Sequence, residues 1–533
     1  MKTNDPITSS PNPKSRRAFL GDVGRGMVAA SVGAAVANDL GFSTAFAEET
    51  ERDVGTLTFG KLDPLVAAMV ETPPDKLQQL LVDKLQRGEA TLKELTAAGA
   101  LANARTFGGE DYDGFHCMFA LVPALEMSAE LPEKARPLPV LKVLYRNTAR
   151  IQLIRKDKPA DTLRPIDPAK LAPGSDAAEL IREAIRANDP LQGDRILGAL
   201  AERSAQEAYD ALQLAVQDKP NVHAVALAHR AWEMVDVIGE AHGHTLLRQS
   251  VHFSCSRQNY SKGRTQSDLQ KVLAQRLDKL LGKAPGSRVT DDAWVAEMSH
   301  TIYTSSRVQA AEAVAEALAE GISPEVVGEA IALAANEIIL RQIKNRTHGD
   351  SRGVHASDAV NAWRNIARVT NDRNKYASLI VAAYHVGGAG QNVIDGANSP
   401  LSTDEDPLAL FREKATESQP GKLLGEAEEA IRANDQFRAA AAVLRYSELE
   451  GAKSRPVFDL LLKYAVSEDG RLHAEKYYRT VTEEFASIRP AYRWRELITL
   501  ARATASTYGM TRKDQPGGRA PGYLEARKLL KLA

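Results

Sequence analysis

The sequence predicts an all-α protein made of two homologous helical halves that pack about an approximate two-fold axis. Three observations carry this. Apolar residues recur at three- and four-residue spacing, as in Leu77, Leu80, Leu81 and Leu85 and again in Val308, Ala311, Val314 and Leu318, which is the period of a helix with one buried face. Strong helix formers (Ala, Leu, Glu, Arg) dominate, and runs of alternating β-branched residues are few. The chain also repeats itself, and a repeat has to be read before single elements are.

The repeat begins at Gly88-Glu89-Ala90-Thr91, which aligns without gaps through Asn103 on Gly321-Ile322-Ser323-Pro324 through Asn336. Phe115-His116 then pairs with Val354-His355, and the alignment runs on to Gln152 and Gln391, with Tyr145 against Tyr384. The string Glu183-Ala184-Ile185-Arg186-Ala187-Asn188-Asp189 recurs identically at Glu429 to Asp435. The offset drifts from 233 at Gly88 to 239 at His116 and 246 at Glu183, as loop insertions between matched helices would make it. The expected halves are residues 60–260 and 295–512.

Composition bounds the class. The chain has 533 residues, with 68 Lys and Arg against 69 Asp and Glu, so its formal net charge is −1. That balance argues against a nucleic-acid partner, which calls for a clear basic excess. At 44% hydrophobic and 26% charged residues it reads as a soluble globular protein. Two cysteines, Cys117 and Cys255, cannot build a four-thiolate zinc or iron–sulfur site.

Taken in order, the first element is an address. Ser15-Arg16-Arg17-Ala18-Phe19-Leu20 precedes a weakly apolar run from Met27 to Val36, and Ala45-Phe46-Ala47 supplies small-x-small before Glu48-Glu49. This order of charge, apolar run and cleavage site resembles a twin-arginine (Tat) export signal, with Gly21 where that pattern often has Lys. The resemblance implies the Tat export machinery as a partner and a periplasmic or secreted mature chain. The apolar run falls short of the roughly 20 residues a span needs, and no transmembrane segment is expected in the mature protein. Residues 1–47 are thus read as signal and 48–59 as linker. Helix starts are marked by Thr91 with Glu94 three residues on, a capping-box spacing, and by Ser323-Pro324. Leu138–Leu144 fits helix or strand alone, and its match to Tyr376–Tyr384 favours helix. Connections rich in Pro, Gly and Ser fall near 157–176, 284–289 and 396–420. Residues 513–533 read as a flexible linker, Asp514 to Gly518, and a short basic terminal helix.

Eleven histidines are the main chemical clue, since imidazole is the commonest metal ligand and titrates near neutral pH. Five lie between His223 and His252. His244, Arg248 and His252 stand at i, i+4 and i+8, one stripe of a helix, and His242 joins them if Gly243 opens the turn. In the second half Ala491-Tyr492-Arg493-Trp494 replaces these histidines, so such a site would be asymmetric. His116 lies in an apolar stretch, Phe115 to Val122, with Glu126 about 80° further round the helix. The matched helix carries His355, Asp358, Asn361 and Asn365. If the two helices face each other, His116, Glu126, His355 and Asp358 form a His/carboxylate site of the kind that suits iron, zinc or manganese. The expected metal ligands are therefore His116, Glu126, His242, His244, His252 and His355. Tyr145 and Tyr384 are candidate proton donors, and Arg248 a candidate anion anchor. His348-Gly349-Asp350 reads as a loop, and the glycines after His385 as a helix C-terminal turn. A Cys-x-x-Cys-His haem motif, a His-Glu-x-x-His helix, Gly-x-Ser-x-Gly and a nucleotide-binding glycine motif are missing.

Two further resemblances rest on short segments. Gly88-Glu89-Ala90-Thr91 and Gly321-Ile322-Ser323-Pro324-Glu325 are similar to the turn of carboxymuconolactone decarboxylase-like helical proteins, without the Cys-x-x-Cys…His of their peroxidase branch. Gly114-Phe115-His116 and Val354-His355-Ala356 resemble questin oxidase-like proteins. No mechanism is carried over from either. The expectation is an exported, His-rich oxidoreductase using a transition metal (iron, copper or zinc) or a non-covalent haem on a small organic substrate. The other reading is a non-catalytic helical scaffold or binding module with structural histidines.

Overall fold

In the computed structural model every regular element among the described residues is a helix, and the one pairing of extended backbone there is an isolated bridge between Arg288 and Ile322. The described residues are 55–256, 267–282, 286–342, 348–388, 406–412, 414–415, 417–510 and 522–532. The export signal, most of the 48–59 linker, Ala389-Gly390 and the Asp514–Gly518 linker lie outside them. The described residues of 56–171 and 176–533 form one compact unit.

In the first stretch run α1 (Asp63–Glu71), α2 (Pro74–Gln86), α3 (Leu92–Phe107), α4 (Tyr112–Glu130), α5 (Pro137–Asp157), α6 (Ala177–Arg186), α7 (Pro190–Ala201), α8 (Ala205–Asp218), α9 (Val222–Ile238) and α10 (Gly243–Cys255). After α11 (Ser267–Leu281) come α12 (Asp292–Thr304), α13 (Arg307–Ala319), α14 (Pro324–Arg341), α15 (Arg352–Val369), α16 (Asp372–Val386), the single turn α17 (Ala409–Arg412), α18 (Pro420–Arg432), α19 (Gln436–Ser447), α20 (Arg455–Ala465), α21 (His473–Ser487) and α22 (Trp494–Thr507). A last helix, α23 (Tyr523–Leu529), lies against α2 and α5. Leu138–Leu144 is helical, inside α5. Helix α11 falls in the stretch left between the two expected halves; it buries Leu269, Val272, Leu273, Leu277 and Leu280 against α13 and α16.

Local chemistry explains the boundaries. Thr91 closes a capping box on α3: its hydroxyl accepts from the Glu94 amide at 3.2 Å and the Glu94 carboxylate accepts from the Thr91 amide at 2.9 Å. The repeated seven-residue string is a helix stop joined to a helix start. Asn188 and Asn434 sit at φ 60° and 57°, the left-handed conformation Asn tolerates after a helix. The next amides, Asp189 and Asp435, donate back to Ala184 and Ala430, each at 2.9 Å, which is the Schellman pattern. The same two aspartates then cap α7 and α19, accepting from Gln192 and Arg438 amides at 3.0 Å.

The core lies among α3, α4, α14 and α15, buried on nearly every side. Small residues make this closeness workable. A Cβ added at Gly99 of α3 would stand 2.3 Å from Leu144 Cδ2. Helix α4 packs on α9 and α21, and α15 packs on the same two. These four helices enclose the site.

Candidate functional site

Four histidines begin four helices. His116 is the fifth residue of α4, His223 the second of α9, His355 the fourth of α15 and His473 the first of α21. Each start is fixed locally. Asp111 caps α4 by accepting from Gly114 N at 2.8 Å, and Arg150 holds that carboxylate at 2.7 and 2.9 Å. Buried Asn103 donates to the Gly114 carbonyl at 2.8 Å. Asn221 accepts from the His223 and Ala224 amides, and Ser351 from Val354 N at 3.3 Å. Arg471, at φ 50°, turns the chain into α21, and the buried pair Lys142–Glu475 ties that helix to α5.

The four rings close a circuit. Ring centres are 5.1 Å apart from His116 to His223, 5.8 Å from His223 to His355, 5.8 Å from His355 to His473 and 4.8 Å from His473 to His116. An ion bound by four imidazole nitrogens at about 2.0–2.1 Å would hold neighbouring ring centres roughly 5 Å apart. Among the described residues no group of three or more His, Cys, Asp or Glu side chains is arranged so that it could hold a metal ion.

Hydrogen bonding decides which nitrogens are left over. His116 Nδ1 lies 2.7 Å from the Tyr112 carbonyl, which only accepts, so Nδ1 carries the proton. His355 bonds the Ser351 backbone in the same way, one turn back. Nearby His348 reaches Thr507 Oγ1 at 2.9 Å; that hydroxyl spends its own proton on the Ala503 carbonyl, so Nδ1 of His348 also donates. In all three the remaining Nε2 is a lone pair. The Nε2 atoms of His116, His223, His348, His355 and His473 are buried without a hydrogen-bond partner. Five such atoms in one place run against the rule that buried polar groups are paired. A metal-ligating histidine with its other ring N–H on a carbonyl has this arrangement.

Burial keeps these rings neutral, drawing His116 down to about 2, His223 and His348 to about 3, His355 to about 4 and His473 well below its usual value; the charge of Lys476 pushes each the same way. The positive ends of four helices beside the rings act in the same sense. Lys476 is itself buried, with Nζ 3.6 Å from Asp358 Oδ2 and 5.3 Å from the centre of the Phe119 ring. Burial lowers its pKa and Asp358 opposes that. A cavity of about 430 Å³ reaches the rings from one side, lined by His116, His348 and His473 with Tyr112, Arg146 and Arg471 around them.

Of the residues expected from sequence, His116 and His355 belong to this circuit. The others lie elsewhere. Glu126 is half-exposed, 4.0 Å from Arg479. His242 stands edge-on to Phe59 at 5.5 Å. His244 reaches the Asp194 carbonyl at 3.3 Å, and Arg248 binds the Asp194 carboxylate at 2.7 Å and the Arg164 carbonyl at 2.8 Å. His252 gives one nitrogen to Asp194 at 2.9 Å and the other to Glu110 at 3.1 Å, which leaves no lone pair. Tyr145 packs on Gly522, and the Tyr384 hydroxyl donates to Asp268 at 3.1 Å. Cys117 and Cys255 are free and buried. Sequence reasoning missed His223, His473, His348 and Lys476. The signal for the first two was there: His223-Ala224 and His473-Ala474 are the same dipeptide, 250 residues apart.

No helix among the described residues is long and apolar enough to cross a membrane. No family model, curated protein or solved structure matches this chain.

Proposed function

We propose that this chain is an exported, metal-dependent oxidoreductase acting on a small organic substrate at the ring of His116, His223, His355 and His473. The observation that carries the reading is the group of buried, partnerless Nε2 atoms on rings 4.8–5.8 Å apart. Imidazole sets suit iron, copper and zinc, and the ring spacing favours a bare ion over a non-covalent haem, whose macrocycle has to lie between its axial histidines. Iron or copper bound there would supply one-electron chemistry to a substrate in the cavity. The residues of the chain do the rest. Tyr112 and Ser351 carbonyls hold two rings in one tautomer, and burial keeps all the rings neutral, as ligands have to be.

The same proposal includes an internal duplication. Its support is the order and packing of the helices. Helices α1 to α10 are followed by α12 to α16 and α18 to α22 with matching partners: α3 on α4 and α5, α14 on α15 and α16, α6 on α7, α18 on α19. The two Schellman turns at Asn188 and Asn434 repeat in geometry as well as in sequence. His116 and His355 occupy matched places, as do His223 and His473. Export through the Tat machinery to the periplasm or beyond rests on the N-terminal motif.

Elemental analysis and an absorption spectrum of the purified, exported chain test the reading. About one transition-metal ion per chain is expected, lost in His355→Ala and His473→Ala. A folded wild-type chain that stays metal-free after anaerobic incubation with iron, copper and zinc would return the histidines to a structural role in a scaffold. Zinc as the sole ion retained would keep the metal and remove the oxidoreductase. Lysine at Arg16 and Arg17 together should retain the chain in the cytoplasm, read by cell fractionation.

A further inference from the structure

Helices α11 and α23 lie outside the sequence repeat, but their places in the fold match. Helix α11 follows α10 and packs on α13 and α16, whereas α23 follows α22 and packs on α2 and α5. These two floors are the same helix pair in the two halves. Helices α2 (Pro74–Gln86) and α13 (Arg307–Ala319) stand 233 positions apart at both ends, and each leads into a glycine at positive φ, Gly88 at 69° and Gly321 at 84°. Helices α5 and α16 carry the matched Tyr145 and Tyr384. Each tyrosine meets the start of the helix that covers it. The Tyr384 hydroxyl donates to Asp268, the second residue of α11, at 3.1 Å. The Tyr145 ring lies against Gly522, just before α23, where an added Cβ would stand 3.0 Å from it. Each covering helix therefore follows the last helix of one half and lies on the other half. Two symmetric copies that trade a segment produce this reciprocal crossing, and joining them into one chain would keep it.

The two arms differ in grip. Helix α11 has 15 residues and buries five apolar side chains, with Arg276 bonded to Glu312 of α13. Helix α23 has 7 residues, of which Ala526 alone is fully buried, and it leaves Leu524 51% exposed. Gln78 Nε2 donates to the Gly522 carbonyl and Lys134 Nζ to the Lys531 carbonyl, both at 2.8 Å. A segment this short does not hold a helix unaided, so the groove makes the arm and the arm does not make the groove. We propose that the α2/α5 groove is a docking surface for the segment of residues 522–532, and that a second copy of this chain supplies that segment when the groove's own arm is displaced. The exchange of arms rests on the duplication proposed above; the docking surface itself needs neither the duplication nor a metal.

A labelled peptide of residues 520–533 tests the groove by fluorescence anisotropy, titrated with a chain ending at Met510 and with the full-length chain. Saturable one-to-one binding to the shortened chain is expected. Binding to the full-length chain should be weaker by tenfold or more, because its tethered arm competes at high effective concentration. Gln78→Leu in the shortened chain removes the donor to the Gly522 carbonyl and should weaken binding about fivefold. If the shortened chain does not fold, full-length Gly522→Val replaces it: valine is strained at φ 106° and is driven onto Tyr145, which frees the groove. The second copy is tested by mixing the chain that has the open groove with full-length Gln78→Leu, whose own groove holds its arm poorly. Sedimentation should show a one-to-one pair. Equal affinity for the shortened and full-length chains, or affinity unchanged by Gln78→Leu, would overturn the docking surface and leave the duplication standing. Peptide binding without a pair would overturn the part assigned to a second copy.

Discussion

His252 lies between two carboxylates, and its surroundings decide its chemistry more than its helix does. Burial alone would lower its pKa, but the bonds to Asp194 and Glu110 outweigh burial and raise it to about 9. The folded protein thus holds this proton more tightly than the unfolded chain, where an imidazole titrates near 6.5. Its contribution to stability is complete below about pH 6.5 and is lost as pH rises through about 9. The size is on the order of 3 kcal/mol at full strength. Melting temperature should therefore fall between pH 6.5 and 9 in the wild type, and His252→Gln should flatten that slope. An unchanged slope in the variant would place the pH dependence on another group. His252 and His116 look alike in sequence, each a histidine on an apolar helix. What separates them is which partner meets Nδ1: a carbonyl of its own helix for His116, a glutamate 142 positions away for His252. Partners supplied by distant segments leave no local trace, and for that reason His242, His244 and His252 drew attention that belonged to His223 and His473.

At the scale of elements, sequence legibility was higher, because helix ends are written locally. The Thr91–Glu94 box, the proline starts and the repeated Asn-Asp boundary are each set by neighbouring residues. The two Asn positions nevertheless differ in what their side chains do. Asn434 Nδ2 donates to the Ala505 and Tyr508 carbonyls, both at 2.8 Å, and so ties α18 to the end of α22. Asn188→Gly exchanges one residue that accepts the left-handed conformation for another, and should change stability by less than about 0.5 kcal/mol. Asn434→Gly also removes two hydrogen bonds, and should cost about 1–3 kcal/mol in urea denaturation. Equal effects at the two sites would mean that the contacts to α22 carry no net energy. Helix α11 was legible in principle, since its leucines follow the helical period. It was passed over because it has no counterpart in the repeat, and the repeat guided the reading.

For the whole molecule, the decisive contacts cross between the N-terminal and C-terminal stretches. Helix α9 packs on α15 and α21 packs on α4, so each stretch supplies two of the four rings and each pair of helices completes the other's core. A fragment of residues 56–256 should fail to bind metal by itself and should regain binding when refolded together with residues 286–532, as read by elemental analysis after gel filtration. Metal retained by the isolated fragment would move the site off the ring. The order of the helices could be anticipated from the repeat, but this exchange of partners could not, because sequence periodicity shows which face of a helix is apolar and not which helix will cover it.

Phe119, Ala226, Asp358 and Lys476 each follow one of the four ring histidines by three residues and are buried, and this unequal layer of two apolar and two charged side chains bears on ancestry. Under the proposed duplication, the forerunner was a single half that assembled as a symmetric pair, with the ring of histidines on the dyad. On such an axis every substitution appears twice. A lysine placed there would meet its own copy across the axis, and an aspartate likewise, so neither could enter without a like-charge neighbour. Joining the two copies into one chain lifted that restriction. Phe119 and Ala226 could stay apolar while Asp358 and Lys476 diverged as a complementary couple. Fusion in this view did more than tether two subunits: it allowed one ring of histidines to be surrounded by unequal neighbours, a freedom that a homodimer never has.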